Sequence, residues 1–267
     1  RPGGLTDDID HGTGQTFSDI YFTKMDMRGA WSPPEPLPEP INTKGSEGSV
    51  VLNNKGTVMY LTQCPVERKK SSPCRIYVSK RSGKLWGNPE LIQIKLDSNI
   101  TIGHPALSPD ESTLIFSSDM PGSGSLGGKD LWIVFKEKRN KWTDPVNLKS
   151  INTSGNEVFP FWHADNTLYF SSDGHVGMGG LDIYKTSKDE FGAWVKPINL
   201  KCPINSSADD FGMIIEKEGE RGYLTSSRAK RGDDNIYQFE LPPIVFSVKG
   251  VVTDSKTGRI LPNIKVQ

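Results

Sequence analysis

The chain has 267 residues, with 32 lysines and arginines set against 32 aspartates and glutamates. That balance removes the electrostatic case for nucleic acid or an anionic membrane surface as a partner. No run of about 18 apolar residues provides a membrane-spanning helix, and no window repeats apolar residues at i, i+3, i+4 and i+7 over three turns. With 27 glycines and 19 prolines, the chain reads as short strands cut by frequent turns.

The first segment, RPGGLTDDID, lacks the apolar stretch of a signal peptide. It carries no initiating Met and opens partway through a repeat, so further upstream residues are expected in the natural protein. From there an apolar–aromatic pair recurs at Ile20-Tyr21, Ile76-Tyr77, Leu131-Trp132, Ile183-Tyr184 and Ile236-Tyr237, at gaps of 56, 55, 52 and 53 residues. About ten residues after each of the first four comes Trp-x-x-Pro: Trp31/Pro34, Trp86/Pro89, Trp142/Pro145 and Trp194/Pro197. A further candidate strand precedes each hairpin at Ser49–Leu52, His104–Leu107, Phe159–Trp162 and Phe211–Ile215. Two motifs in phase over four or five copies make a four-stranded unit, strands a to d.

Four-stranded units at this period are the blades of a β-propeller. In chain order, Arg1–Asp19 reads as the b–c loop of a first blade without its a and b strands, and Ile20–Leu37 as its strands c and d. Blades two to five follow at about Glu47–Leu91, Gly103–Leu148, Glu157–Leu200 and Asp210–Glu240, the last without Trp-x-x-Pro. Five blades are expected, with six as the alternative, over residues 1–243. A lone blade cannot cover both of its faces, so the repeated aromatics are expected to fill the gaps between blades. After Leu241-Pro242-Pro243 the pattern changes. Val245–Val252 alternates, Thr253–Gly258 turns and Ile260 starts another strand, so 244–267 reads as the first hairpin of a second β domain.

Loop lengths divide the propeller into unequal faces. The a–b turns and c–d turns are tight, the b–c and d–a connections long, and long loops on a rigid scaffold are where binding concentrates. The glycine-rich stretch Ser171–Gly180 is the richest of these. Three d–a connections share Ile-Asn-Thr/Ser followed by a carboxylate, Glu47, Glu157 or Asp210. These acids are expected where the chain enters the innermost strand. There they either form an acidic ring at the channel mouth that binds a cation or a basic peptide, or cap turns. Aspartates ahead of strand c (Asp19, Asp130, Asp182, with Asn235 in the last copy) recur too regularly for catalysis and are read as structural. Cys64 and Cys74 face each other across one hairpin loop, which suits either a disulfide in an oxidising compartment or two free thiols; Cys202 is read as free.

Enzyme signatures are absent from the pattern. The four histidines show no ligand spacing, no G-x-S-x-G elbow occurs, and GSGSLGG at Gly122–Gly128 leads into a strand rather than the helix a phosphate loop needs. No cofactor and no metal are expected.

The motifs LSPDESTLIFSSD (Leu107–Asp119) and LYFSSDGHVGMGGLDIY (Leu168–Tyr184) resemble the PD40 (WD40-like, TolB-like) propeller repeat. Trp142–Thr153, with Trp-x-x-Pro, Asn-Leu and Ile-Asn-Thr, is similar to the variant in OmpA-family envelope proteins of Bacteroidetes. VKGVVTDSKTGRILPNIKV (Val248–Val266) resembles the opening of a carboxypeptidase regulatory-like β-sandwich. That order resembles the PorE-type peptidoglycan-associated lipoproteins of the type IX secretion system. The resemblance implies a non-catalytic scaffold, periplasmic and outer-membrane associated, that docks secretion-system proteins. It implies peptidoglycan contact and any lipid anchor only through parts outside this chain. A propeller gating a peptidase, and a saccharide-binding propeller, are the alternatives.

Overall fold

In the computed structural model, the described residues are 17–67, 70–122, 124–138, 141–219, 221–229, 233–241 and 250–262. Among them every named element is a β-strand. A two-stranded sheet pairs β1 (Tyr21–Phe22) with β2 (Glu35–Pro36). The next sheet runs β3 (Ser46–Leu52), β4 (Val58–Cys64), then, past the small ribbon β5 (Val66–Glu67) and β6 (Lys70–Ser71), β7 (Arg75–Ser82). Its outer edge is β8 (Leu85–Trp86) and β9 (Glu90–Leu91), both paired to β7. Two further four-stranded sheets follow in plain sequential order. They are β10 (Ile102–Leu107), β11 (Thr113–Ser118), β12 (Asp130–Phe135) and β13 (Val146–Asn147), then β14 (Glu157–Trp162), β15 (Leu168–Ser172), β16 (Asp182–Thr186) and β17 (Ile198–Asn199). A three-stranded sheet, β18 (Asp210–Ile215), β19 (Arg221–Ser226) and β20 (Asn235–Glu240), comes last.

These are four blades of an all-β propeller, each an antiparallel meander with its first strand innermost. Successive inner strands β3, β10, β14 and β18 pack against one another. The core lies between blades. Phe116 and Leu114 of β11 join Tyr60 and Ile76 in one cluster, while Ile115 and Ile133 join Leu168, Phe170 and Tyr184 in the next. A sheet that is apolar on both faces has no other way to leave water.

The β1–β2 sheet lies between the last blade and the first. On one side Ile20 and Leu37 pack on Met59 and Leu61. On the other, Trp31 meets Tyr223 edge-on at 5.8 Å and the Arg221 guanidinium reaches the Met25 thioether.

Two local features differ from the sequence expectation. The inner strands begin one to three residues earlier than alternation suggests, because each carries a β-bulge at its middle. The bulged residues Ser49, His104, Phe159 and Gly212 all have positive φ (43°, 52°, 51° and 63°), and pairing shifts register there in all four blades. A bulge flips the side-chain alternation, so a period-2 reading sees only the second half of each strand. Strand d is also split. Trp142 and Trp194 each make a single bridge just past the end of strand c, as Trp31 does past β1, the Pro that follows has no N–H to donate, and pairing resumes as a two-residue strand.

At the C-terminal side, Thr253 pairs with Ile260 around a turn in which the Asp254 carboxylate accepts the N–H of Lys256 and of Thr257. The flanking parts of the expected hairpin, 242–249 and 263–267, lie outside the described residues, as does 1–16 of the expected first blade.

Candidate interaction face

The three singled-out carboxylates stand near the start of β3, β14 and β18, and all are buried. Glu157 is 0% exposed and accepts three bonds: from the Thr153 N–H (2.9 Å), the Thr153 hydroxyl (2.6 Å) and the Ser172 hydroxyl (2.7 Å). Asp210 accepts from the N–H and hydroxyl of Ser206 and pairs with Arg228. Glu47 accepts the Thr43 hydroxyl, its other oxygen has no partner, and burial pushes its carboxyl above the ordinary carboxylate range. Each acid therefore ties down the Thr/Ser four residues before it. Among the described residues no three acidic, histidine or cysteine side chains gather as a cation site would require. All three acids thus make turn-capping bonds.

The residue that the pattern understated is the Asn of Ile-Asn-Thr/Ser. Asn42, Asn152 and Asn205 each take the backbone N–H of a strand-c residue on Oδ1 and donate Nδ2 to that residue's carbonyl, clamping Ile20, Leu131 and Ile183. Each clamp reaches back 21 or 22 residues. The same tripeptide thus fixes the d–a loop to the sheet with its Asn and to itself with its Thr or Ser.

The b–c loops then lock onto these d–a loops, both the one that enters their own blade and the one that leads to the next. Gly128 N–H donates to the Gly155 carbonyl, Asn156 bonds the Asp173 carboxylate through backbone and side chain, and Leu181 N–H donates to Asp209. The glycines of Gly174–Gly180 follow from this contact. A Cβ at Gly174 would overlap Thr153, one at Gly177 would overlap the Asp182 carboxylate, and one at Gly179 would overlap the Ala208 carbonyl. Gly174 and Gly179 are there for close approach between loops, and Gly177 for room beside the Asp182 carboxylate of its own blade.

Within that loop several hydrogen bonds fix the backbone. Ser172 Oγ accepts Gly174 N–H, Asp182 accepts the N–H of Met178 and Gly179, the Tyr184 hydroxyl donates to the Val176 carbonyl, and the His175 ring bonds the Ile151 carbonyl. The loop nonetheless holds Val176 in water at 96% exposure, with Met178 half exposed and, on the preceding blade's loop, Leu126 likewise. Asp130 plays the Asp182 part in that blade, accepting Leu126 N–H. At the edge of the same face a disulfide joins Cys64 and Cys74, and Cys202 is a free, exposed thiol.

A second concave region runs along the axis. The bulges turn His104, Phe159 and Phe211 toward one another, stacked at 4.0 Å and 5.0 Å between ring centres. His104 Nδ1 accepts the Phe159 N–H at 3.2 Å. Burial, then the charge of Lys129, holds its pKa down to about 4, so the ring is neutral with its proton on Nε2. The ladder fills much of the axis and leaves a cavity of about 270 Å³ lined by Val50, Pro105, Pro160 and Ile214.

No protein-family model matches the sequence, and no curated protein does. Solved structures with a similar trace include a puromycin-hydrolysing peptidase of Mycobacterium tuberculosis, at 15% identity and TM-score 0.43 over 92% of this chain and 35% of that one. A protein of unknown function from Dyadobacter fermentans aligns at 14% identity and TM-score 0.45, covering 85% of this chain and 65% of its own. A thermostable family-43 glycoside hydrolase aligns at 14% and 0.47, covering 78% and 76%. The chain spans about a third of the mycobacterial peptidase.

Proposed function

We propose that this chain is a non-catalytic interaction module of the bacterial cell envelope that docks a partner protein through its long-loop face. The observation that carries the reading is the β15–β16 loop, held by the Asp182 carboxylate and the Tyr184 hydroxyl yet presenting Val176 to solvent at 96% exposure. An apolar side chain on an ordered loop is a pre-organised anchor. Its ordering entropy is lost on folding rather than on binding, and exposed apolar groups on a rigid rim mark contact surfaces.

The resemblance of the repeat motifs supports the finer reading. In it, β1–β2 are strands c and d of a fifth blade, and the module serves a type IX secretion-like assembly in the periplasm. Contact with peptidoglycan and any lipid anchor belong to parts outside this chain. A propeller that gates a peptidase, or one that binds saccharide as its main task, is the competing reading.

A photo-reactive residue at Met178, in the full polypeptide in cells, is expected to crosslink a discrete envelope protein. Val176→Asp is expected to abolish that product without moving the melting temperature. A product that survives Val176→Asp removes the anchor role. A crosslink to a hydrolase domain of the same polypeptide replaces the scaffold with the gate.

A further inference from the structure

The aromatic pairs that close the gaps between blades are not equivalent. Each sets a strand-d Trp of one blade against a strand-b Tyr of the blade before it. In the pair Trp31–Tyr223 the Tyr hydroxyl is sealed from solvent. In the pair Trp142–Tyr60 the rings meet edge-on at 6.1 Å and are only 7% and 6% exposed. Yet they line a crevice of about 560 Å³ between the β3–β9 blade and the β10–β13 blade, on the face opposite the long loops. That is within the range of small-molecule sites, roughly 300–1,000 Å³.

Both residues line the crevice, and among the described residues neither the Tyr60 hydroxyl nor the Trp142 indole N–H has a hydrogen-bond partner or is sealed from solvent. Beside them Val58, Val78 and Ile92 supply apolar surface. Two lysines, Lys80 and Lys136, and two glutamates, Glu90 and Glu111, stand around the rim. The rim charges cancel, and ionic contacts of exposed side chains contribute little. Selection therefore falls to the desolvated floor, where every group is neutral: C–H surface interrupted by one O–H and one N–H. A ligand that matches it has apolar C–H faces and hydroxyl edges with no net charge.

We propose that this crevice binds a neutral mono- or disaccharide. Tyr60 exchanges a hydrogen bond with one ring hydroxyl, Trp142 donates to another, and the valines and Ile92 cover the C–H face. The site is separate from the loop face and does not depend on the docking role.

The test is a titration of the ¹⁵N-labelled chain with maltose, cellobiose and N,N′-diacetylchitobiose at millimolar concentration, read at the Trp indole resonances and assigned with Trp142→Phe. Glycine and inorganic phosphate serve as charged controls. At least one sugar is expected to move the Trp142 signal saturably. Tyr60→Phe, which removes an unpartnered hydroxyl and keeps the ring, is expected to weaken binding about tenfold with an unchanged melting temperature. Gln93→Ala on the rim reports on the same site without touching the core. The proposal is overturned if no sugar moves that signal, if the controls move it as strongly, or if binding survives both Tyr60→Phe and Trp142→Phe.

Discussion

Asn152 shows how much one side chain carries in this fold. It satisfies the buried N–H and carbonyl of Leu131 and donates to Asn147. Leaving a buried backbone group unpaired costs about 1–3 kcal/mol. Asn152→Ala strands the Leu131 N–H, while the Leu131 carbonyl keeps the Leu148 N–H, and is therefore expected to lose roughly 1–3 kcal/mol in denaturant unfolding; a loss no larger than a surface substitution produces would show that water replaces the clamp. The buried acids separate in the same way. Glu157 has donors on both oxygens, so Glu157→Gln turns an NH₂ toward a donor and is expected to cost about 1–3 kcal/mol. Glu47 has one empty oxygen and a raised pKa, so its ionised form is the disfavoured one. Glu47→Gln is expected to be neutral or stabilising at pH 7, and that advantage should shrink as acid protonates the wild-type carboxyl. Equal losses for both variants in parallel melts would contradict these roles.

At the scale of the element, the Trp-x-x-Pro corner and the bulge do different work. The corner turns the chain at the outer edge and drops its indole onto the neighbouring blade, as Trp142 does beside Tyr60 and Ile92. Trp142→Ala is expected to cost about 3–5 kcal/mol, as other large-to-small core substitutions do. A melting shift near zero would mean that the indole contributes no packing. The bulge works at the inner edge, where four strands crowd toward one axis. By doubling two residues against one it bends each strand and turns His104, Phe159 and Phe211 into a stack. Three of the four bulged residues are not glycine, so each holds a left-handed conformation that the surrounding blade must impose.

For the molecule as a whole, the axial stack makes stability depend on pH. The folded state keeps His104 neutral down to about pH 4, whereas an unperturbed histidine takes up its proton near 6.5. Between those values the unfolded state binds more protons, so stability rises with pH through this window and falls on acidification. The full effect is on the order of 3 kcal/mol. His104→Gln is expected to be less stable at pH 7 but to lack this component of the slope; an unchanged slope between pH 4 and 6.5 in urea unfolding would show that the ring is solvated. The same axis ties the ring together, since Trp31 and Met25 meet the last blade while Ile20 and Leu37 meet the first.

The repeat was legible in the sequence because packing demands it: an apolar–aromatic pair every 52 to 56 residues and a Trp-x-x-Pro after it are what a two-faced blade needs on each side. Strand order and short turns follow from the chain alone, since a meander pairs neighbours and tight loops leave no other partner. Tertiary structure decided what those residues meet. Ile-Asn-Thr/Ser was visible as a motif, but the Asn clamp joins residues 21 or 22 apart and leaves no local signal. The acids after it could be read as a charge cluster or as turn caps, and their burial and their bonds to Thr and Ser appear only in the fold. The bulge hid because it inverts the very alternation by which strands are recognised. The glycines of the long loops announced a turn, while their reason, close approach to the connecting loops on either side and to the Asp182 carboxylate, exists only once the chain is folded. Local periodicity reports which faces must leave water; which atoms satisfy one another across those faces is set by contacts distant in sequence, and only the assembled ring brings them together.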